Sequence, residues 1–339
     1  MKANKATIAV IGAGSWGTAL ALLLARKGMT VRLWAHRQGH VEELKASREN
    51  RAYLPGFALP ENITVSAELS EVLPGAATVL MVVPSHGYRA VFGRLKGHLT
   101  PETVVVSASK GIENDSLMTM TQVMEEERPG GLYAVLSGPS FAREVAAGQP
   151  TAVTVAAGDM GVATRAQELF FTETFRVYTS TDVIGVELGG PLKNIVAIAA
   201  GICDGLGYGT NTRAALITRG LAEITRLAVK MGASPLTMSG LAGLGDLVLT
   251  CTGELSRNRH VGVQLGQGKT IDTIQNEMKM VAEGVKTTRS VWHLARKMQV
   301  EMPIMEQVYL VLYEGKRCRE AVNTLLQRDQ KEEMVLFSR

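Results

Sequence analysis

Residues 7–26 place the tightest limit on how this chain folds. Thr7-Ile8-Ala9-Val10-Ile11 is apolar and short, Gly12-Ala13-Gly14-Ser15-Trp16-Gly17 interrupts it, and the next eight residues are apolar on more than one face before Arg26-Lys27-Gly28. The order reads as a buried strand, a tight turn and a helix with a cationic last turn and a glycine stop. A basic start with Lys2 and Lys5 resembles the opening of a secretory leader, but three glycines and Trp16 break the apolar stretch behind it.

The strand, turn and helix pattern recurs. Residues 30–35, 78–83 and 103–107 read as strands, the last two leading into Pro84-Ser85-His86-Gly87 and Ser109-Lys110-Gly111. Val135-Leu136 precedes Ser137-Gly138-Pro139-Ser140 in the same way, and residues 151–156 and 175–178 add two more strands. Apolar strands alternating with helices predict an α/β domain with a mostly parallel sheet covered on both faces. Ligands of such sheets sit at the C-terminal strand ends, which makes Gly12, Ser85, Lys110 and Gly138 neighbours. From about Asp182 the strand signal fades. Ala214, Ile217, Leu221, Ile224 and Ala228 keep helical spacing, and residues 304–313 (entered through Pro303) and 321–326 also read as helices. The expected division is an α/β domain at residues 1–185, an all-helical domain at 186–330 and a tail at 331–339.

A chain of 339 residues with 46% apolar content has material for two cores. Its 36 basic and 32 acidic residues, net +4, are too evenly mixed for a nucleic-acid surface, while an anionic small substrate remains compatible. Cys203, Cys251 and Cys318 form no paired spacing and read as free thiols of a reducing compartment, hence an expected cytoplasmic location. No run of about 20 uninterrupted apolar residues suggests membrane insertion, and the six histidines lack zinc-type spacing, so no metal is expected.

The glycine turn carries the first chemistry. After a strand and before a helix, its spacing fits a dinucleotide site: Gly12 for the tight turn, Gly14 for approach of the backbone to a pyrophosphate, Gly17 for helix packing, and the helix N-terminus for the anion. About twenty residues on, where a carboxylate would bind the ribose of NAD, the chain reads Ala35-His36-Arg37. Arg37 suits a 2′-phosphate, so NADPH/NADP+ is favoured and NADH/NAD+ tolerated; a solvent-facing loop arginine is the competing reading.

The second lies in Gly189-Gly190-Pro191-Leu192-Lys193-Asn194, an amine and an amide inside an otherwise apolar run. A buried amine needs a partner or a use. Lys193 is a candidate proton carrier between an alcohol and a ketone, or else a lysine reaching out of a helix end; Asn194 points about 100° away round a helix. Lys110 reads as a positive point near substrate or as a loop cation. Further on, Asp246 follows Gly240-Leu241-Ala242-Gly243-Leu244-Gly245 and is a candidate to orient Lys193 or accept from a hydroxyl. Ser256, Arg257 and Asn258 offer phosphate donors, Arg257 best of all, although a helix cap followed by a charged face explains them equally.

Taken together, residues 10–20, Val82-Val83-Pro84-Ser85-His86, Lys110-Gly111, Ser137-Gly138-Pro139-Ser140-Phe141-Ala142, Leu192-Lys193-Asn194, residues 240–251 and Ser256-Arg257-Asn258-Arg259 resemble the bacterial NAD(P)-dependent glycerol-3-phosphate dehydrogenases over nearly the whole chain. The resemblance implies a Rossmann-like first domain, a helical second one, frequent homodimers, and interconversion of sn-glycerol 3-phosphate and dihydroxyacetone phosphate for phospholipid synthesis. By that likeness Lys193 matches the general base of oxidation and acid of reduction. Lys110, Gly138, Ser140, Asp246, Ser256, Arg257 and Asn258 match substrate positions. Ser15, Trp16, His36, Arg37, Lys110, Ala142, Arg257, Val281 and Glu283 match or adjoin cofactor positions. Trp16 stands where a smaller aromatic is usual, and Pro191 where a small residue is commoner; Pro191 reads as a first helical residue or a kink. The alternatives are a related hydroxy-acid or sugar-acid dehydrogenase, and a non-catalytic sensor of cofactor ratio.

Overall fold

In the computed structural model, residues 6–278, 282–330 and 332–333 are described. The chain forms two compact units, one of residues 1–113 and 118–187, the other of residues 114–117 and 188–339.

The first unit is built on eight strands: β1 (Thr7–Ile11), β2 (Thr30–Trp34), β3 (Ile63–Ser66), β4 (Thr78–Met81), β5 (Val104–Ser107), β6 (Leu132–Ser137), β7 (Thr151–Ala157) and β8 (Phe175–Ser180). They lie in the order β3-β2-β1-β4-β5-β6-β7-β8, and every pair is parallel except β6 with β7. Residues of β1 alternate between two cores. Ile8 and Val10 join Leu80, Val106 and Leu136 on one face, whereas Ala9 and Ile11 join Val79, Met81 and Val105 on the other. Side chains of period two buried on both faces explain the continuous apolar runs. The Ser15–Arg26 helix covers the first face with everything from Gly17 to Ala25 buried, and Gly28 ends it at φ +89. The first face is therefore a Rossmann-like arrangement, and the reversal of strand order at β1 and β4 makes the crevice beyond their C-terminal ends the favoured ligand position. The sequence reading lacked β3, and it did not foresee the antiparallel turn at β7.

The second unit has helices but no strand among its described residues. Its longest helices are Thr210–Lys230 and the greater part of Val183–Gly205. The latter starts eight residues before Pro191, so this proline is interior and the expected placement as a first helical residue does not hold. Its missing N–H leaves the Glu187 carbonyl without a helical donor, a defect that generally costs about 3 kcal/mol. Val183–Gly205 is also long and apolar enough by length and composition to cross a membrane, although its most apolar stretch is largely buried inside the protein. Polar Glu187, Lys193, Asn194 and Asp204 break that run in sequence.

Glycine sets the packing of this helix. A Cβ on Gly201 or Gly205 would strike the backbone of Arg259 or Val263, and one on Gly262 or Gly266 would strike the carbonyls of Ile198 or Ile202. The four glycines thus bring the Arg257–Gly266 helix to backbone contact with Val183–Gly205. Asp204 lies at this crossing and pairs with both Arg213 and Arg259. The three cysteines are free thiols.

Candidate active site

The glycine turn begins where β1 ends. Gly12 has φ +122, donates its N–H to the Trp34 carbonyl at 3.1 Å, and leaves no room for a Cβ beside the Val82 carbonyl. A Cβ on Gly17 would meet the Gly12 carbonyl, so Gly17 lets the helix close over the turn. Gly14 differs: nothing lies within 4 Å of its would-be Cβ. It is also the N-cap, with no side-chain bond to the helix end and no acidic residue in the first turn. Ser15 and Trp16 therefore open a helix whose N–H groups are not claimed by a cap, with the positive end of the dipole exposed to an anion. Trp16 packs against the first core, while its indole Nε1 is buried without a hydrogen-bond partner among the described residues. The open side of Gly14 and the uncapped helix fit a pyrophosphate.

His36 and Arg37 are exposed just beyond β2, the neighbour of β1. The His36 ring tilts against Trp34 at 5.9 Å, and the Arg37 guanidinium donates to the Tyr53 hydroxyl at 3.0 Å.

Three further candidates meet at the ends of β5 and β6. Lys110 Nζ donates to the Gly138 carbonyl at 3.1 Å, and Ser140 Oγ donates to the same oxygen at 2.9 Å. Gly138 has φ +140, and a Cβ there would press on Val153. Ser109 Oγ donates to the Val83 carbonyl at 2.6 Å, and Gly111 leaves room for the Ser85 side chain. Gly12, Ser85, Lys110 and Gly138 consequently follow four adjacent strands along one rim, as the parallel pattern required. Ala142 opens the Ala142–Ala146 helix and packs against the same core as Trp16.

In the second unit Lys193 is 6% exposed and Asp246 is fully buried, and the Lys193 Nζ pairs with Asp246 Oδ1. Such a pair keeps a buried charge tolerable. Two glycines place the carboxylate: a Cβ on Gly189 would strike the Ala242 carbonyl, and one on Gly243 would strike Met238. Gly243 belongs to Leu241–Gly245, a π-helical turn whose widened geometry leads directly into the Asp246–Thr252 helix. Burial pushes the nearby Cys251 thiol up to about 12 despite the Lys193 charge, and so favours its protonated form.

Ser256 is the N-cap of the Arg257–Gly266 helix and accepts the Arg259 N–H at 3.2 Å. Asn258 is buried and its Oδ1 accepts the Gly284 N–H at 3.0 Å, joining this helix to the start of Glu283–Lys297, whose first residue is Glu283. Arg257 is exposed in the first turn. Val281 lies outside the described residues. Among the described residues no cluster of histidine, cysteine and carboxylate side chains could hold a metal ion.

Two family models match the chain, the NAD-dependent glycerol-3-phosphate dehydrogenase N-terminus at residues 7–163 and the C-terminus of the same family at residues 182–323. The chain belongs to the NAD-dependent glycerol-3-phosphate dehydrogenase family. Among its relatives, glycerol-3-phosphate dehydrogenase [NAD(P)+] of Citrifermentans bemidjiense is 58% identical over 331 residues, covering 97% of this chain and 99% of that protein. The enzyme of the same name from Geobacter sulfurreducens is 57% identical over 329 residues, covering 96% and 98%. The crystal structure of glycerol-3-phosphate dehydrogenase from Coxiella burnetii is 45% identical with a TM-score of 0.92, covering 96% of this chain and 99% of that one.

Sequence reasoning missed several residues that shape these family motifs. Asn50 is fully buried and holds the glycine turn from the side. Tyr53 carries Arg37, and Asp204 ties the Arg257–Gly266 helix to its neighbours. The glycine spacing at 201, 205, 262 and 266 was the one available signal; Asn50, Tyr53 and Asp204 stand in no motif.

Proposed function

We propose that this chain interconverts sn-glycerol 3-phosphate and dihydroxyacetone phosphate with a nicotinamide dinucleotide, and that Lys193 exchanges the proton on the C2 oxygen. The buried Lys193–Asp246 pair is the observation that carries the assignment. Bound nicotinamide supplies a hydride to C2 in reduction and takes one in oxidation. In reduction the Lys193 ammonium gives its proton to the oxygen as negative charge grows there, and the resulting amine regains a proton from solvent. Oxidation runs the same transfers backwards. Asp246 holds Nζ in one position and balances the ammonium, so the proton donor is preorganised.

Arg257 is assigned to the substrate phosphate, whose binding energy aligns C2. Ser256 and Asn258 support that role by shaping the helix end, since Ser256 caps it and Asn258 anchors it. Lys110 and Ser140, both bound to the Gly138 carbonyl, form one polar cluster for substrate and nicotinamide. Gly12, Gly14, Ser15, Trp16 and Gly17 are assigned to the pyrophosphate end and His36 and Arg37 to the adenosine ribose, with Ala142 and Glu283 adjoining the cofactor. Arg37, with no carboxylate beside it at residues 35–37, supports a preference for NADPH.

The test is to follow oxidation of NADPH, and separately of NADH, with dihydroxyacetone phosphate and then with 2-keto acids. Faster turnover on the phosphate ester is expected. A preference for the keto acids would overturn the substrate assignment, and equal use of both cofactors would overturn the role of Arg37.

A further inference from the structure

The Arg37 guanidinium is exposed, yet its side chain is tied through the half-buried Tyr53 to the buried Asn50. Its Nη2 donates to the Tyr53 hydroxyl at 3.0 Å. That hydroxyl sits on a ring whose place is set from two sides. The edge of the Tyr53 ring meets the His40 imidazole, with centroids 5.2 Å apart and planes at 68°. The Tyr53 N–H donates to Asn50 Oδ1 at 3.2 Å, and His40 Nε2 lies 3.2 Å from the same oxygen.

Asn50 is 0% exposed and uses its other end on the glycine turn. Its Nδ2 donates to the Ala13 carbonyl at 2.9 Å and to Thr18 Oγ1 at 2.7 Å. The loop bearing Tyr53 is closed on itself as well, because the Glu49 carboxylate accepts the Gly56 N–H at 2.8 Å and Glu49 bridges to Ala58. One side-chain amide thus joins the turn that faces a pyrophosphate to the tyrosine that holds the arginine beyond β2. A buried amide with donors and acceptor all satisfied fixes its neighbours in one arrangement.

We propose that Tyr53 is a specificity-determining residue for the cofactor: its hydroxyl aims the Arg37 guanidinium at the 2′-phosphate of NADPH, in a loop that Asn50 locks to the glycine turn. The inference rests on the assignment of Arg37 given above. Tyr53 is a positioning residue, acting through Arg37 rather than on the reacting atoms. An arginine held in place loses less rotamer freedom when it meets a phosphate, and only the phosphorylated cofactor gains from this. Tyr53 spends one of the five guanidinium N–H donors on orientation.

The experiment measures dissociation constants of NADPH and NADH by fluorescence titration of the full chain, with the melting temperature of the cofactor-free protein recorded beside them. Tyr53→Phe removes one oxygen and keeps the ring against His40. It is expected to weaken NADPH about five-fold, the scale of one modest hydrogen bond, with NADH changed less than about two-fold and the melting temperature unmoved. Arg37→Gln is expected to remove the NADPH preference altogether. If Arg37→Gln does so while Tyr53→Phe leaves both constants unchanged, the role of Tyr53 is overturned and that of Arg37 stands. If Arg37→Gln changes neither constant, both assignments fall. Equal weakening of the two cofactors by Tyr53→Phe, with a lowered melting temperature, would reduce Tyr53 to a structural residue and overturn the inference.

Discussion

Removing one member of the Lys193–Asp246 pair and then both separates the stability of the site from its chemistry. Lys193 is 6% exposed and Asp246 is 0% exposed, so neither charge is satisfied by bulk water. Asp246→Leu removes the carboxylate paired with a buried ammonium, and breaking a buried pair in this way generally costs about 3–5 kcal/mol. At roughly 2–4 °C per kcal/mol for a unit of this size, the lower figure alone drops the melting temperature by about 6–12 °C. Lys193→Met is expected to cost a similar amount by removing the ammonium paired with the buried carboxylate. The double variant Lys193→Met/Asp246→Leu replaces both charges with apolar side chains of like volume and is expected to recover most of that loss. Turnover behaves differently. Lys193→Met is expected to lower kcat by about 10²–10⁴, the usual scale of a lost general acid or base, and the stable double variant should be no faster. Thermal denaturation of the four proteins, with NADPH oxidation measured on each, closes the cycle. Additive losses of stability would refute the pairing as an energetic unit, and a double variant within about ten-fold of wild-type turnover would refute the proton-transfer role of Lys193.

Three other perturbations test the rest of the structure. Gly12→Ala forces a side chain onto a φ of +122 and against the Val82 carbonyl, so titration should show nicotinamide binding lost or at least ten-fold weaker, by more than about 1.4 kcal/mol. Gly262→Ala drives a methyl into the Ile198 carbonyl, and thermal melting should report overpacking of about 1–3 kcal/mol; an unchanged melting temperature would contradict the backbone contact of the two helices. Glu223 accepts the N–H groups of Ile304 and Met305 at 2.8 and 3.2 Å, and burial raises its carboxyl to about 7. The folded chain holds this proton more tightly than the unfolded chain, so stability should fall as pH rises from about 4.5 to 7, by up to about 3 kcal/mol. Denaturant titrations across that range should show the slope in the wild type and a flatter profile in Glu223→Gln.

What could be read from the sequence was local chemistry. The turn at Gly12, Gly14 and Gly17 is legible because Gly12 and Gly17 meet backbone demands set within the turn or by the neighbouring strand while Gly14 leaves its side open, and the rim of Gly12, Ser85, Lys110 and Gly138 follows once the strands are parallel. The reversal at β7 left no trace, since a strand buried on both faces is the same apolar run in either direction. The Glu283–Lys297 helix was hidden for a related reason. Thr287, Thr288 and Ser290 occupy its buried face and spoil the apolar period, yet Thr288 Oγ1 donates to the Gly284 carbonyl at 2.7 Å and Ser290 Oγ to Asn114 Oδ1 at 2.6 Å. Polar side chains satisfied in this way pack as core residues. The same physics divides the candidates in the second unit. Lys193 was conspicuous as an amine in an apolar run, but its partner stands 53 residues away, placed by Gly189 and the π turn. Ser256 and Asn258 drew notice as phosphate donors, and each has a backbone bond of its own to make. Helix capping and ligand binding call on the same short polar side chains for the same reason, an N–H or an anion in need of a partner. Residue type alone therefore locates this helix end as a place of polar recognition, and only geometry separates the groups that build it from Arg257, the exposed guanidinium it presents.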